Sequence, residues 1–280
     1  MTTHHAAADP TVSDEITAGE TTADPSVTDE ITAHAATADG AVAGRRTAGS
    51  APSPSSHGRG RSLPAAVFWD MDGTLVDTEP YWISAEHGLV EEFGGTWSEE
   101  YAHQLVGNDL MVSATFIRDH APVDLEPVQI VEALLLRVVE QVREHVPWRP
   151  GARELLEDLK QWGVPSALVT MSWRSLADAV VAALPAGTFA AVITGDEVDH
   201  GKPHPEPYLA AARALGVGVG DCVALEDSPT GVRSAAEAGV PTIAVPHVVA
   251  VPLIRGSVQV PSLSGLKAHD LLDVVASRLR

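Results

Sequence analysis

The sequence predicts an α/β protein built on a parallel sheet, on three observations. From residue 150 onward, short apolar runs alternate with stretches of helical periodicity. Strands alternating with helices pair in parallel and carry helices on both faces of the sheet. Between residues 80 and 149 only helical patterns occur, which places a helical insert after the first strand. Residues 1–62 are rich in Ala, Thr, Ser, Asp, Gly and Pro and hold no aromatic residue. Such a segment buries too little apolar surface to offset its ordering entropy and is expected to be a disordered tail.

Each element follows from local pattern. Ala65–Trp69 is an apolar run of strand length ahead of a Gly-Thr turn. Tyr81–Phe93 has helical spacing and stops at Gly94-Gly95. Ser98–Leu105 and Leu110–Asp119 are further helices. Pro127–Val146 repeats Ile130, Val131, Leu134, Leu135, Val138, Val139 and Val142 at helical intervals. The alternation then runs through helix Ala152–Trp162, strand Pro165–Thr170, helix Ser175–Leu184 and strand Ala190–Thr194. It continues with helix Glu206–Leu215, strand Cys222–Leu225, helix Gly231–Ala238 and strand Thr242–Val245.

Composition excludes several function classes. A formal charge of −20 disfavours nucleic acid, whose phosphates need clustered Lys and Arg. No apolar segment is long enough to span a bilayer; Pro246 and Pro252 break the run from Pro241 to Ile254. The N-terminus lacks the charged and apolar regions of a signal peptide, so a cytoplasmic location is expected. The single cysteine, Cys222, sits in an apolar run and reads as a small buried hydrophobe. A monomer is the default expectation. Within the tail, residues 9–18 recur nearly unchanged as residues 24–33. Two copies make no solenoid, and read as a tandem duplication or as a docking peptide.

The chemistry begins at Asp70-Met71-Asp72-Gly73-Thr74, where an apolar run ends in two carboxylates. Open α/β sheets bind ligands at the C-terminal ends of their strands. Paired acids there share a metal or a proton, or else form a merely acidic turn. The pattern Asp-x-Asp-Gly-Thr-Leu-Val-Asp-Thr-Glu, residues 70–79, resembles the first motif of the haloacid dehalogenase superfamily, the aspartate-nucleophile phosphohydrolases. Leu168-Val169-Thr170-Met171-Ser172 resembles the second, Gly201-Lys202-Pro203-His204-Pro205 the third, and Leu225-Glu226-Asp227-Ser228 the fourth. The resemblance covers Pro64 to Val245.

That resemblance implies a Rossmann-like core of residues 63–79 and 150–280 with an α-helical cap of residues 80–149. It makes Asp70 the nucleophile that forms an aspartyl-phosphate, and Asp72 the general acid and base. Thr170 and the Met171 backbone N–H hold phosphate oxygens, Met71 is a further substrate-binding residue, and Lys202 bridges Asp70 and the phosphoryl group. Relatives often carry Asn where Met171 stands, so a side-chain contact there is not implied. An all-oxygen site suits Mg²⁺, with the Asp70 carboxylate, the Asp72 backbone carbonyl and Asp227 as ligands and Glu226 adjacent, direct or through water. Glu226 and Asp227 are alternatively helix-capping acids, Lys202 a solvated turn residue, and Ser172 a cap.

The implied activity is Mg²⁺-dependent hydrolysis of a small phosphorylated metabolite. A dehalogenase would not need Asp72, and a phosphonate hydrolase needs a cap lysine that residues 80–148 lack. A sugar-phosphate mutase of the β-phosphoglucomutase type needs cap cations around Gly107; the segment Leu105-Val106-Gly107-Asn108-Asp109-Leu110 has none, though Arg118, Arg137 and Arg143 lie nearby in sequence. A non-catalytic regulator would have shed Asp70, Asp72 or Lys202. Asn108 is a candidate for binding a polyol. Tyr81, Trp82 and Trp97 either wall the leaving group or form cap core.

Overall fold

The computed structural model describes residues 62–278. The rest of the expected tail, with its near-repeat, lies outside the described residues. Six strands form one sheet in the order β3-β2-β1-β4-β5-β6, and every neighbouring pair is parallel. They are β1 (Val67–Trp69), β2 (Ser166–Val169), β3 (Ala191–Ile193), β4 (Val223–Glu226), β5 (Thr242–Ala244) and β6 (Ser257–Gln259). The chain builds outward from β1 to β3, then crosses to the other side of β1 for β4. That reversal leaves a crevice at the C-terminal ends of β1 and β4.

Alternation along the strands sorts side chains to two faces. Val67 and Trp69 join the larger core, with Leu168, Leu225 and Ile243. Helices α5 (Ala152–Gln161) and α6 (Arg174–Ala182) close that face with Leu155, Leu159, Leu176 and Val180. Each of these buried side chains contributes about 1.5–3 kcal/mol. Phe68, Ala167, Val169 and Ala224 point the other way, against Tyr208, Ala211 and Ala212 of α7 (Glu206–Leu215). Helix α8 (Pro229–Glu237) follows β4, and α9 (Leu271–Arg278) ends the described chain.

Four helices lie between β1 and α5, as expected: α1 (Glu79–Glu92), α2 (Glu99–Leu105), α3 (Leu110–His120) and α4 (Pro127–Glu144). The apolar stripe of α4 is buried in full, from Ile130 to Val142. Ser98 and Asp109 cap α2 and α3, accepting from Tyr101 N–H at 3.1 Å and Met111 N–H at 2.9 Å. The chain enters and leaves this insert side by side: Asp77 N–H donates to Pro147 O at 2.8 Å, and Arg149 N–H to Leu75 O at 2.9 Å.

Among the described strands and α-helices, two were not foreseen. Strand β6 is three residues long with only Val258 buried, too short to show alternation. Helix α9 buries Leu271 and Val275, a spacing of four that a stretch of eight residues repeats only once. Among the described residues, no helix is long and apolar enough to cross a membrane.

Candidate active site

The four motifs converge at the crevice. Parallel register sets Trp69 beside both Leu168 and Leu225, so the residues that follow emerge together. Asp70 and Asp72 leave β1, Thr170 to Ser172 leave β2, and Glu226-Asp227 end β4. All of these but Glu226, which is fully buried, line a cavity of about 290 Å³ whose other wall is the helical insert.

Lys202 ties three strands together. Its Nζ donates to Asp70 Oδ1 at 2.7 Å, Glu226 Oε1 at 2.6 Å and Val169 O at 2.9 Å. The side chain is 5 % exposed, so it is no solvated turn lysine. Burial opposes its charge, but Asp70 and Glu226 outweigh burial and hold the ammonium above lysine's ordinary value. Its loop is fixed at both ends: Lys202 N–H meets Met171 Sδ, and Glu206 accepts from the Asp199 and His200 N–H groups. The ring of buried Tyr208 lies 5.3 Å from Nζ, and its hydroxyl donates to Glu226 Oε1 at 2.6 Å.

Asp70 therefore has one oxygen held and one free. Its Oδ2 is buried without a hydrogen-bond partner among the described residues, and the residue lines the cavity. Asp72 is held by hydroxyls instead. Thr78 donates to Oδ1 at 2.5 Å; Ser172 and Thr170 approach Oδ2 at 2.8 and 3.3 Å. Burial raises the Asp72 pKa, the Asp70 charge adds to the rise, and these three hydroxyls only partly offset it. An acid held in this way keeps a proton available at higher pH than a free aspartate.

Glu226 is fully buried and Asp227 lines the cavity. Two glycines make room for them. A Cβ at Gly73, whose φ is +87°, would collide with the Asp227 carboxylate, and one at Gly231 with that of Glu226. Neither acid caps α8: Ser228 does, accepting from Gly231 N–H at 3.1 Å. Burial and the neighbouring Asp70 charge push both carboxyls up, Glu226 to about 7. Asp70, Glu226 and Asp227 can each place an oxygen within 4.8 Å of the others. Excess negative charge, hard oxygen donors and the unpartnered Asp70 Oδ2 fit a small divalent cation such as Mg²⁺.

The structure sorts the other expected residues. Met171 lines the cavity, whereas the Met71 side chain is buried in the core. Asn108 sits on the cavity wall, but its amide donates to Gln104 O at 2.9 Å. Trp82 lines the cavity. Trp97 is buried in the insert, and Tyr81 OH donates to His145 O. Arg137 pairs with Glu92 at 2.6 Å, and Arg118 with Asp119 and Glu126; with Arg143, none lines the cavity. Cys222 is buried and burial raises its thiol to about 11, as suits a hydrophobe.

Sequence reasoning missed Thr78, Tyr208, Glu79, Glu86 and His247. Thr78 stands in the quoted motif, but only the fold turns it back on Asp72. His247, on the loop after β5, lies 3.0 Å from Asp77 and lines the cavity.

A family model described as haloacid dehalogenase-like hydrolase matches residues 64–239. Hexitol phosphatase B of Escherichia coli K12 is 33% identical over 221 residues, covering 76% of this chain and 98% of that protein. The phosphorylated carbohydrates phosphatase of Thermotoga maritima is 32% identical over 186 residues, covering 64% and 83%. Among solved structures, CbbY from Rhodobacter sphaeroides in complex with xylulose-(1,5)bisphosphate superposes with a TM-score of 0.67 at 28% identity, over 73% of this chain and 96% of that one.

Proposed function

Because the chain belongs to the haloacid dehalogenase-like hydrolase family, we propose that it is a phosphatase of small phosphorylated sugars or polyols, working through an aspartyl-phosphate on Asp70. The observation that carries this reading is the Asp70 carboxylate itself. Lys202 grips one oxygen and leaves the other unpartnered among the described residues, with Asp72, its pKa raised mainly by burial, two residues on.

In the first step Asp70 attacks phosphorus as the bond to the leaving oxygen breaks, and Asp72 delivers its proton to that oxygen. In the second step Asp72, now a carboxylate, takes a proton from water as the water oxygen attacks phosphorus. The bond from phosphorus to Asp70 then breaks, releasing phosphate and restoring both acids. Thr170 and the Met171 backbone N–H orient phosphoryl oxygens, and Lys202 offsets charge that builds in the transition state. Residues 63–79 and 150–280 act as the core and residues 80–149 as the cap over it.

Mg²⁺ is the proposed cofactor, held by the carboxylates of Asp70 and Asp227 and the backbone carbonyl of Asp72. Glu226 would lie adjacent to the ion, its Oε1 already accepting from Lys202 and Tyr208. When bound, it neutralises phosphoryl oxygens and so lets an anionic nucleophile approach.

Hydrolysis is favoured over mutase transfer because the cavity's cap side offers no lysine or arginine among the described residues to hold a second phosphate. The test is phosphate release from sugar and hexitol monophosphates with Mg²⁺ and with EDTA, and with Asp70→Asn. Metal-dependent release lost in Asp70→Asn supports the reading; equal turnover in the variant defeats it.

A further inference from the structure

One buried acid in the cavity has no part in the phosphoryl chemistry. Glu86 on α1 is 5 % exposed and lines the cavity. Its Oε2 accepts from the Trp97 indole N–H at 3.0 Å, while Oε1 has no hydrogen-bond partner among the described residues. No lysine or arginine pairs with it there either. Isolated buried carboxyls are costly and are seldom kept without a partner. Trp97 holds this one in place and leaves its second oxygen to the cavity.

The surroundings define what that oxygen meets. Glu79, Trp82 and Glu86 follow one another along one face of α1 and share the cavity wall. Burial raises Glu79 to about 7 and Glu86 to about 8, and each feels a neighbouring acid: Asp72 for Glu79, Glu79 for Glu86. Ser113 adds a hydroxyl, and Val106, Leu110 and Leu134 add apolar wall. Asp109 commits a carboxylate oxygen to the first turn of α3. Lys202, the lining's only lysine or arginine among the described residues, is bound to Asp70 and Glu226.

We propose that Glu86, positioned by Trp97, binds the far end of the leaving group, and that the substrate is a phosphate monoester whose far end carries hydroxyl groups and no negative charge. A hydroxyl donates to the free carboxyl oxygen. A second phosphate or a carboxylate there meets two acids and, among the described residues, no free lysine or arginine. This inference rests on the phosphohydrolase reading and adds the class of its substrate.

The test compares three esters with full-length protein and Mg²⁺: a hexitol 6-phosphate, a hexose 1,6-bisphosphate, and p-nitrophenyl phosphate. The wild type is expected to prefer the hexitol ester over the bisphosphate by at least about tenfold in kcat/KM. Glu86→Gln should lower the ratio of hexitol ester to p-nitrophenyl phosphate by up to roughly tenfold, mainly through KM, the order of one lost hydrogen bond. It should also narrow the gap to the bisphosphate. Trp97→Phe, which frees the Glu86 side chain, should shift the same ratio in the same direction by less. A wild type that prefers the bisphosphate, or a Glu86→Gln that slows all three esters alike, overturns the proposal. Absence of any Asp70-dependent hydrolysis of p-nitrophenyl phosphate instead defeats the phosphohydrolase reading beneath it.

Discussion

Replacing Lys202 with Met keeps the length of the side chain and removes its charge. The ammonium is buried between Asp70 at 2.7 Å and Glu226 at 2.6 Å, so two carboxyls lose their shared cation. Removing one partner of a buried pair costs about 3–5 kcal/mol, because the remaining charge stays uncompensated. For the 217 residues described, 62–278, each kcal/mol moves the thermal midpoint by about 2–4 °C, so the expected fall is roughly 6–20 °C. The loss should depend on pH. Glu226 already has its pKa raised to about 7, and without Lys202 it rises further. A carboxyl whose folded pKa is raised lowers stability as pH climbs from its unfolded value through its folded one. The variant should therefore fall further behind the wild type at pH 8 than at pH 6. Phosphatase turnover should drop by about 10²–10³-fold, the scale of a removed charge-stabilising donor. Calorimetry at both pH values, paired with a phosphate-release assay, measures all three effects. A midpoint within about 2 °C of wild type at pH 8, with turnover retained, would refute the assignment of Lys202 as a buried countercharge.

Asp72→Asn should lose about 10²–10⁴-fold in kcat on alkyl phosphates, and less on p-nitrophenyl phosphate, whose leaving group needs no proton. Because the Asp72 pKa is raised mainly by burial, the same variant should gain stability relative to wild type as pH rises above the ordinary aspartate range, read by thermal melts. Gly73→Ala must place a Cβ against Asp227 at a φ of +87°, and should cost about 1–3 kcal/mol in a denaturant titration as well as activity. Ser228→Ala removes the cap of α8 and should cost about 1 kcal/mol in the same titration.

The sheet and three of the four motifs were legible because Asp70, Thr170 and Glu226-Asp227 each follow an apolar run at once, and parallel strands deliver such positions to one edge; Lys202 follows no such run and was placed by the resemblance. That rule placed Asp70, Thr170, Glu226 and Asp227 at one edge, and the resemblance supplied their roles. Their partners needed tertiary structure. Tyr208 reads as a core aromatic of α7, and its hydroxyl on Glu226 joins elements 18 residues apart. Whether Glu226-Asp227 cap a helix was undecided in the sequence, and the fold answers through Ser228. Glu86 left a signal that went unread: it falls in the buried stripe of Ala85, Leu89 and Val90, where an acid is out of place. The wall built by His247 and its neighbours follows β5 in a stretch whose prolines gave no pattern to read.

The central claim is covalent chemistry on Asp70. Rapid acid quench during turnover of a sugar monophosphate, followed by borohydride reduction and peptide mass spectrometry, reads it directly, since an acyl phosphate is reduced to an alcohol and a free carboxylate is not. The account predicts homoserine at position 70, dependent on substrate and on Mg²⁺, with Asp72 and Asp227 unmodified. Reduction at Asp72 or Asp227, or turnover with no reducible carboxyl at any aspartate, would contradict it.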